Sequence, residues 1–361
     1  MSARAGLRER LARAARSRWL RAWLLVSLAA KLVLFAAVLA GAEALAVERV
    51  GLTVGEAERS ARFFSEVLGF ERVSETEVAG PDYERLEGVF NLRMRVVRMR
   101  LGQEELDLVD YLAPASQPFP PDTRGNDRWF QHIAIVVSDM PRAYARLREH
   151  GVAHASSGPQ RLPDWNPDAG GIQAFYFRDP DGHFLELIQF PPGKGDPRWQ
   201  RGGRDLFLGI DHTAIVVADT EASLRFYRDR LGLRVAGASE NHGVEQEHLN
   251  GVFGARLRIT GLRAPAGPGI ELLEYRTPRD GRARPADARA SDLLHWYTQL
   301  RVRDVEALGR GIASLPNALV SPGVVALPGA ELGFGRALGA ADPDGHVLRL
   351  CAAPADEETT P

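Results

Sequence analysis

Four stretches of the chain share one rhythm of apolar and polar positions. "HIAIVVSDMPRAYARL" from His132 and "HTAIVVADTEASLRFY" from His212 each read as an apolar strand, an Asp, then apolar residues at helical spacing. Asp139 and Asp219 stand where helix N-caps belong. "RVGLTVGEAERSARFF" from Arg49 and "YTQLRVRDVEALGRGI" from Tyr297 repeat the pattern more weakly, and the four starts are 83, 80 and 85 residues apart. Each copy closes on a strand of period two: "LDLVDY" from Leu106, "LELIQF" from Leu185, "IELLEY" from Ile270 and "LRLCAA" from Leu348. "DPDGH", at Asp179 and again at Asp342, is tight-turn chemistry between strands, so Asp179, Asp181 and Gly182 are turn residues first. The unit is strand–helix–strand–strand–strand, and it falls at about 47–112, 129–191, 208–276 and 293–351.

The first 46 residues depart from this rhythm. Seven arginines between Arg4 and Arg21 precede the apolar "WLLVSLAAKLVLFAAVLAGAEALA", with small-residue sites at Ala40–Ala42 and Ala44–Ala46. The pattern matches a secretory leader; a membrane anchor that is never cleaved is the alternative reading. Either predicts an exported or membrane-anchored protein. The segment holds eight Lys/Arg and two Asp/Glu of the chain's 45 and 47, so the remainder is acidic by eight charges. That balance argues against nucleic-acid binding, which needs a basic face. The single Cys351 excludes an intrachain disulfide and sits in an apolar strand, as a buried inert thiol would. Residues 352–361 read as a disordered tail.

The "HIAIVV…DPDGHFLELI" pattern resembles the vicinal oxygen chelate superfamily, which includes glyoxalase I, extradiol dioxygenases and bleomycin resistance proteins. The resemblance covers essentially everything after residue 46. It implies an α+β fold in which four βαβββ modules pair into two cup-shaped barrels, with domains at 47–191 (modules 1 and 2) and 208–351 (modules 3 and 4). It also implies metal ligands at the start of each module's first strand and the middle of its last. Those positions are Arg49 with Asp107, His132 with Glu186, His212 with Glu271, and Tyr297 with Arg349.

Only modules 2 and 3 then offer imidazole and carboxylate. His132, Glu186, His212 and Glu271 suit one divalent ion of the Fe, Ni, Zn, Mn or Co kind, whereas two guanidinium groups would repel it. For all four to meet, module 2 must pair with module 3 and module 1 with module 4. Arg49 and Arg349 would mark a cup without metal, with Asp107 the partner of one of them. A lone strand histidine is more often a core or surface residue than a ligand. Carboxylates on apolar strands, at matching positions, favour the metal. Asp110, Gln189 and Glu274 lie three residues further along and read as surface groups on the opposite face. His183 and His346 follow the turns and read as scaffold. His242 and His248 are candidates for pocket acid or base, with surface placement the competing reading. His295 is not counted as a ligand. The loop "LPDWNPDAGG" from Leu162 places Trp165 either over the cup mouth or as a loop anchor.

The resemblance implies a small-molecule substrate chelated through two adjacent oxygens, with glyoxalase-like lyase or isomerase chemistry in which Glu186 or Glu271 is base as well as ligand. An extradiol, catechol-type dioxygenase is the alternative, and a non-catalytic small-molecule binding or resistance protein the third reading.

Overall fold

The computed structural model describes residues 43–201 and 203–352. The expected tail from 353 onward and the expected leader up to 42 lie outside the described residues. Two boundaries are corrected: Ala44–Ala46, assigned to the leader from their small side chains, begin the first strand, where Ala44 pairs with Val302, and Ala352, assigned to the tail, ends the last strand, also opposite Val302. Among the described residues no helix is long and apolar enough to cross a membrane.

The chain folds as four βαβββ modules. Module 1 comprises β1 (Ala44–Val54), α1 (Ala57–Glu66), β2 (Glu71–Ala79), α2 (Pro81–Glu87), β3 (Arg93–Leu101) and β4 (Glu104–Ala113). Module 2 comprises β5 (Gln131–Val137), α3 (Met140–Glu149), β6 (Gln160–Arg161), β7 (Gln173–Arg178) and β8 (Phe184–Gln189). Module 3 repeats the first: β9 (Phe207–Val216), α4 (Thr220–Tyr227), β10 (Arg234–His242), α5 (Val244–Asn250), β11 (Arg256–Arg263) and β12 (Gly269–Thr277). Module 4 repeats the second: β13 (Trp296–Val302), α6 (Val305–Ile312), β14 (Val325–Ala326), β15 (Arg336–Ala341) and β16 (Val347–Ala352). The short helices α2 and α5 are not evident from the sequence pattern; α5 falls in a stretch that reads as strand. Each ends on a left-handed glycine, Gly88 (φ 65°) or Gly251 (φ 64°), which is the residue such a stop requires.

Two eight-stranded sheets result, ordered β10-β11-β12-β9-β5-β8-β7-β6 and β14-β15-β16-β13-β1-β4-β3-β2. The antiparallel seam of the first joins β5 to β9, so module 2 shares a cup with module 3; the seam of the second joins β1 to β13, so module 1 shares a cup with module 4. Within a module the first and last strands are parallel neighbours, and the helix makes the crossover on the convex side. There it packs on its own sheet, α1 on β3 and β4 and α3 on β8, and the two sheets share one cluster in which Phe64, Met140 and Leu147 join Ile133, Ile135, Leu106 and Leu108. These strands are buried on both faces, which is why they read as nearly unbroken apolar runs.

The helix starts are as the sequence predicts. Asp139 accepts from Arg142 N at 2.9 Å, and Asp219 from Glu221 N at 2.8 Å. Gly182 lies at φ 95° in its turn, while Asp179 accepts from the Asp181 and His183 backbone N–H groups, both at 2.9 Å. Asp110, Gln189 and Glu274 are not surface groups. Each reaches round to a backbone N–H at its own module's helix start, respectively Ala57 (3.1 Å), Met140 (2.9 Å) and Thr220 (3.2 Å). Parity does put them on the opposite face, but that face is covered by the helix, whose orphan donors need acceptors.

Candidate metal centre

Strand register places the candidate positions identically in all four modules. Glu186 lies opposite Ala134, Glu271 opposite Ala214, Asp107 opposite Gly51 and Arg349 opposite Gln299, each two residues after the first-strand candidate. Across the β5–β9 seam His132 faces Ala214 and His212 faces Ala134, so small residues leave space beside each imidazole.

His132, Glu186 and His212 converge within 4.8 Å of one another, all buried. Glu186 Oε2 lies 3.1 Å from His132 Nε2 and 3.5 Å from His212 Nε2. Glu271 Oε2 lies 3.4 Å from His212 Nε2, with its side chain 31% exposed against 6% for Glu186. Both ring nitrogens of buried His132 lack an aligned hydrogen bond despite the nearby carboxylate. Donor atoms that crowd one point without bonding one another, one of them an orphaned imidazole, fit a cation between them; two nitrogens and two carboxylates suit a borderline divalent metal.

Burial alone would raise the Glu186 carboxyl, but the two imidazoles override it and bring its pKa down to about 2. Burial alone would lower His212, and the charges of Glu271, Asp211 and Glu186 push it well above its ordinary value. Asp211, which the sequence reading missed, accepts from His212 Nδ1 at 3.0 Å. Alternation should turn it away from its neighbour. It is instead the extra residue of a β-bulge, since Ala134 pairs with His212 and Ile135 with Ile210, and a bulge re-aims a side chain.

Glu186, His212 and Glu271 face a cavity of about 370 Å³, whose lining also includes the apolar Leu162, Ile172, Tyr176, Ile188 and Leu273 and the polar Asp211, Asn241, Gln246 and Arg263. Tyr176, also missed, lies with its ring 4.9 Å from that of His132 and tilted to it by 48°, and burial with Glu186 nearby lifts its phenol well above the usual range. The 162–171 loop borders the mouth. Trp165 lies 4.4 Å from the His242 ring in a stacked pair, and Asn166 donates to Asn241 at 2.9 Å, joining module 2 to module 3. His242 and His248 are exposed and do not line the cavity. His295 is buried in the other half beside Arg284, which stands 3.4 Å from its Nδ1. His183 bridges Asp179 (2.7 Å) and the Leu293 carbonyl (2.8 Å), as scaffold would.

The second cup is closed by ion pairs. Tyr297 Oη donates to Asp107 at 2.9 Å, and Arg98 Nε donates to the same carboxylate at 2.9 Å. The expected partnership of Asp107 with Arg49 or Arg349 is therefore corrected. Arg98 approaches from β3, where it registers directly opposite Asp107, a contact within the sheet that ligand-position alignment ignores. Arg49 pairs with Glu105 at 3.3 Å, and Arg349 with buried Glu87 at 2.6 Å, its guanidinium 3.7 Å above the Tyr297 ring. A Cβ on Gly51 would stand 2.0 Å from that ring, so only glycine admits the tyrosine. Leu332 and Phe334, ahead of β15, fill the concave space with Val78, Tyr83 and Leu86.

Two cups, each assembled from paired βαβββ modules and one of them holding a His/Glu donor cluster, define the class. The sequence model of the Glyoxalase/Bleomycin resistance protein/Dioxygenase superfamily matches residues 46–187 and 209–350, and the chain belongs to that superfamily. It is 32% identical over 154 residues to a 2-epi-5-epi-valiolone epimerase of Actinomyces sp, covering 42% of this chain and 82% of that protein. It is 25% identical over 207 residues to a catechol-2,3-dioxygenase of Bacillus subtilis (strain 168), covering 52% of this chain and 64% of that protein, just under two thirds. A mutant of glyoxalase I from Zea mays superposes with a TM-score of 0.56 over 85% of this chain and 92% of that one; at 17% identity this likeness shows the fold.

Proposed function

We propose that the protein is a metal-dependent enzyme that moves a proton next to a carbonyl in a small substrate held through two neighbouring oxygens, the isomerase or lyase chemistry of glyoxalase type. The observation that carries this reading is a difference in charge. Around the closed cup's four positions, Arg49, Arg98 and Arg349 balance Glu105, Asp107 and Glu87. Around the open cup's, Glu186, Glu271 and Asp211 meet Arg263 alone among the described residues, an excess of two negative charges once both imidazoles give up their protons to bind, which a divalent cation would match.

His132, Glu186 and His212 would hold the ion. When bound, it would supply Lewis-acid stabilisation of negative charge developing on the substrate oxygens. Glu271, the most exposed of the four donors and open to the cavity, takes the proton from the carbon beside the carbonyl and returns it to that carbon or its neighbour. The apolar wall from Leu162 to Leu273 excludes water from the exchange. The epimerase named among the relatives supports proton transfer.

The test is solvent-deuterium wash-in to a panel of 2-hydroxy ketones and 2-oxo aldehyde adducts, followed by NMR with the metal-loaded protein. Wild type should incorporate deuterium, and Glu271→Gln should stop it with metal still bound. A second reading is favoured by one observation: the compact group is His132, Glu186 and His212, two imidazoles and one carboxylate, the set that serves oxygen-activating Fe(II). Oxygen uptake with catechol and Fe(II), retained in Glu271→Gln, would replace the first reading by ring cleavage.

A further inference from the structure

We propose that Asp211, clamped by Arg263 and by Trp199 of the connector between the chain's two halves, is the positioning residue for His212, making that connector a working part of the metal centre. The inference rests on the metal-centre reading above. Asp211 is 4% exposed and spends its carboxylate on three donors: His212 Nδ1 at 3.0 Å, Arg263 at 2.8 Å and Trp199 Nε1 at 2.9 Å. Arg263 also donates to the Asp211 carbonyl at 2.8 Å, so backbone and side chain of the bulge are fixed together. A carboxylate on Nδ1 commits the imidazole to the tautomer whose Nε2 lone pair is free, and that nitrogen is the one turned toward Glu186 and Glu271.

The bulge is braced from module 1. Glu104 accepts from Ile210 N at 3.1 Å, the N–H beside the bulged residue, and pairs with Arg198 at 2.5 Å; the Arg198 guanidinium lies 3.9 Å over the Trp199 ring. His132 has no such support. Gln131, in the position before it, donates to Thr213 instead, and His132 Nδ1 is buried without a partner. The two imidazoles are therefore unequal: His212 is held in place from outside the cup, while His132 is held by packing against Phe130 and Tyr176.

Cobalt(II) titration followed by calorimetry and visible absorption tests this without any substrate. Asp211→Asn should weaken cobalt binding about 10- to 100-fold, with Trp199→Phe and Arg263→Met moving it in the same direction, and the ligand-field bands should shift. Asp211→Glu should recover part of the affinity. Glu48→Gln, at the corresponding bulge of the closed cup, should bind as wild type. If wild type binds cobalt and Asp211→Asn binds it equally well, the proposal is overturned while the metal centre stands. If wild type binds none, the metal reading itself fails. Should Asp211→Asn not fold, Trp199→Phe and Arg263→Met decide, and wild-type affinity in both overturns the proposal. Equal weakening in Glu48→Gln would also overturn it, since the effect would then be general.

Discussion

His132, Glu186, His212 and Glu271 in one cup occupy the positions that Arg49, Asp107, Tyr297 and Arg349 occupy in the other, on strands of the same register. Each scaffold lines a concave interior with ionisable groups, and burying these without partners is costly. The closed cup satisfies them internally with arginines and fills the remaining space with Leu332, Phe334 and the Tyr297 ring. The open cup leaves its donors pointed at a common centre beside a cavity. The comparison teaches that a repeated fold dictates where a side chain points, while the residue types decide whether the position forms a bond within the protein or faces outward to a ligand.

The largest effect that would break this comparison is loss of the ion. Elemental analysis of wild-type protein should give about one metal per chain, and His132→Ala should fall to background, since an incomplete shell loses both a donor and its geometry. Two metals per wild-type chain would mean that the cups are alike after all. The next effect concerns stability. Arg349→Met strands Glu87 in the closed cup and should cost about 3–5 kcal/mol in denaturant titration, with metal stoichiometry unchanged. Adding Glu87→Leu should restore much of the loss; no recovery would place the cost elsewhere. Gly51→Ala is smaller. Its methyl meets the Tyr297 ring and should cost about 1–3 kcal/mol, relieved by Tyr297→Phe no more than slightly and by Tyr297→Ala largely.

The smallest effect is a pH dependence in the turn next to the open cup. Burial lowers His183, but Asp179 overrides it and raises the folded-state pKa above 6.5. The pair's contribution should be fully present below about pH 6.5 and be lost as pH rises through the folded value. The stability difference between wild type and His183→Gln should therefore shrink at alkaline pH; a difference that grows would sink this account.

Module order, helix starts and the turn at Asp179 were legible because period and capping chemistry are local. The gathering of His132, Glu186 and His212 followed from asking which modules must meet. What escaped reading was non-local or broke the period. Asp211 sits at odd parity beside His212, and only the bulge turns it inward. Arg98 became the partner of Asp107 through a cross-strand register that spacing within a module does not reveal. Asp110 and Glu274 read as solvent-facing because nothing in their own strand says that a helix end covers them.

The seams β5–β9 and β1–β13 are nested, the inner joining neighbouring modules and the outer joining the first to the fourth. A chain leaving the ribosome can complete the inner cup once β12 has emerged near residue 277, but β1 must wait for β13 and the last strand, β16, to complete its own sheet. Throughout that interval β1 offers an unpaired edge that only distant sequence can cover, and such long-range closure is slow. The closed cup, which gathers no metal-donor set among the described residues, is thus the one of the two cups that closes last.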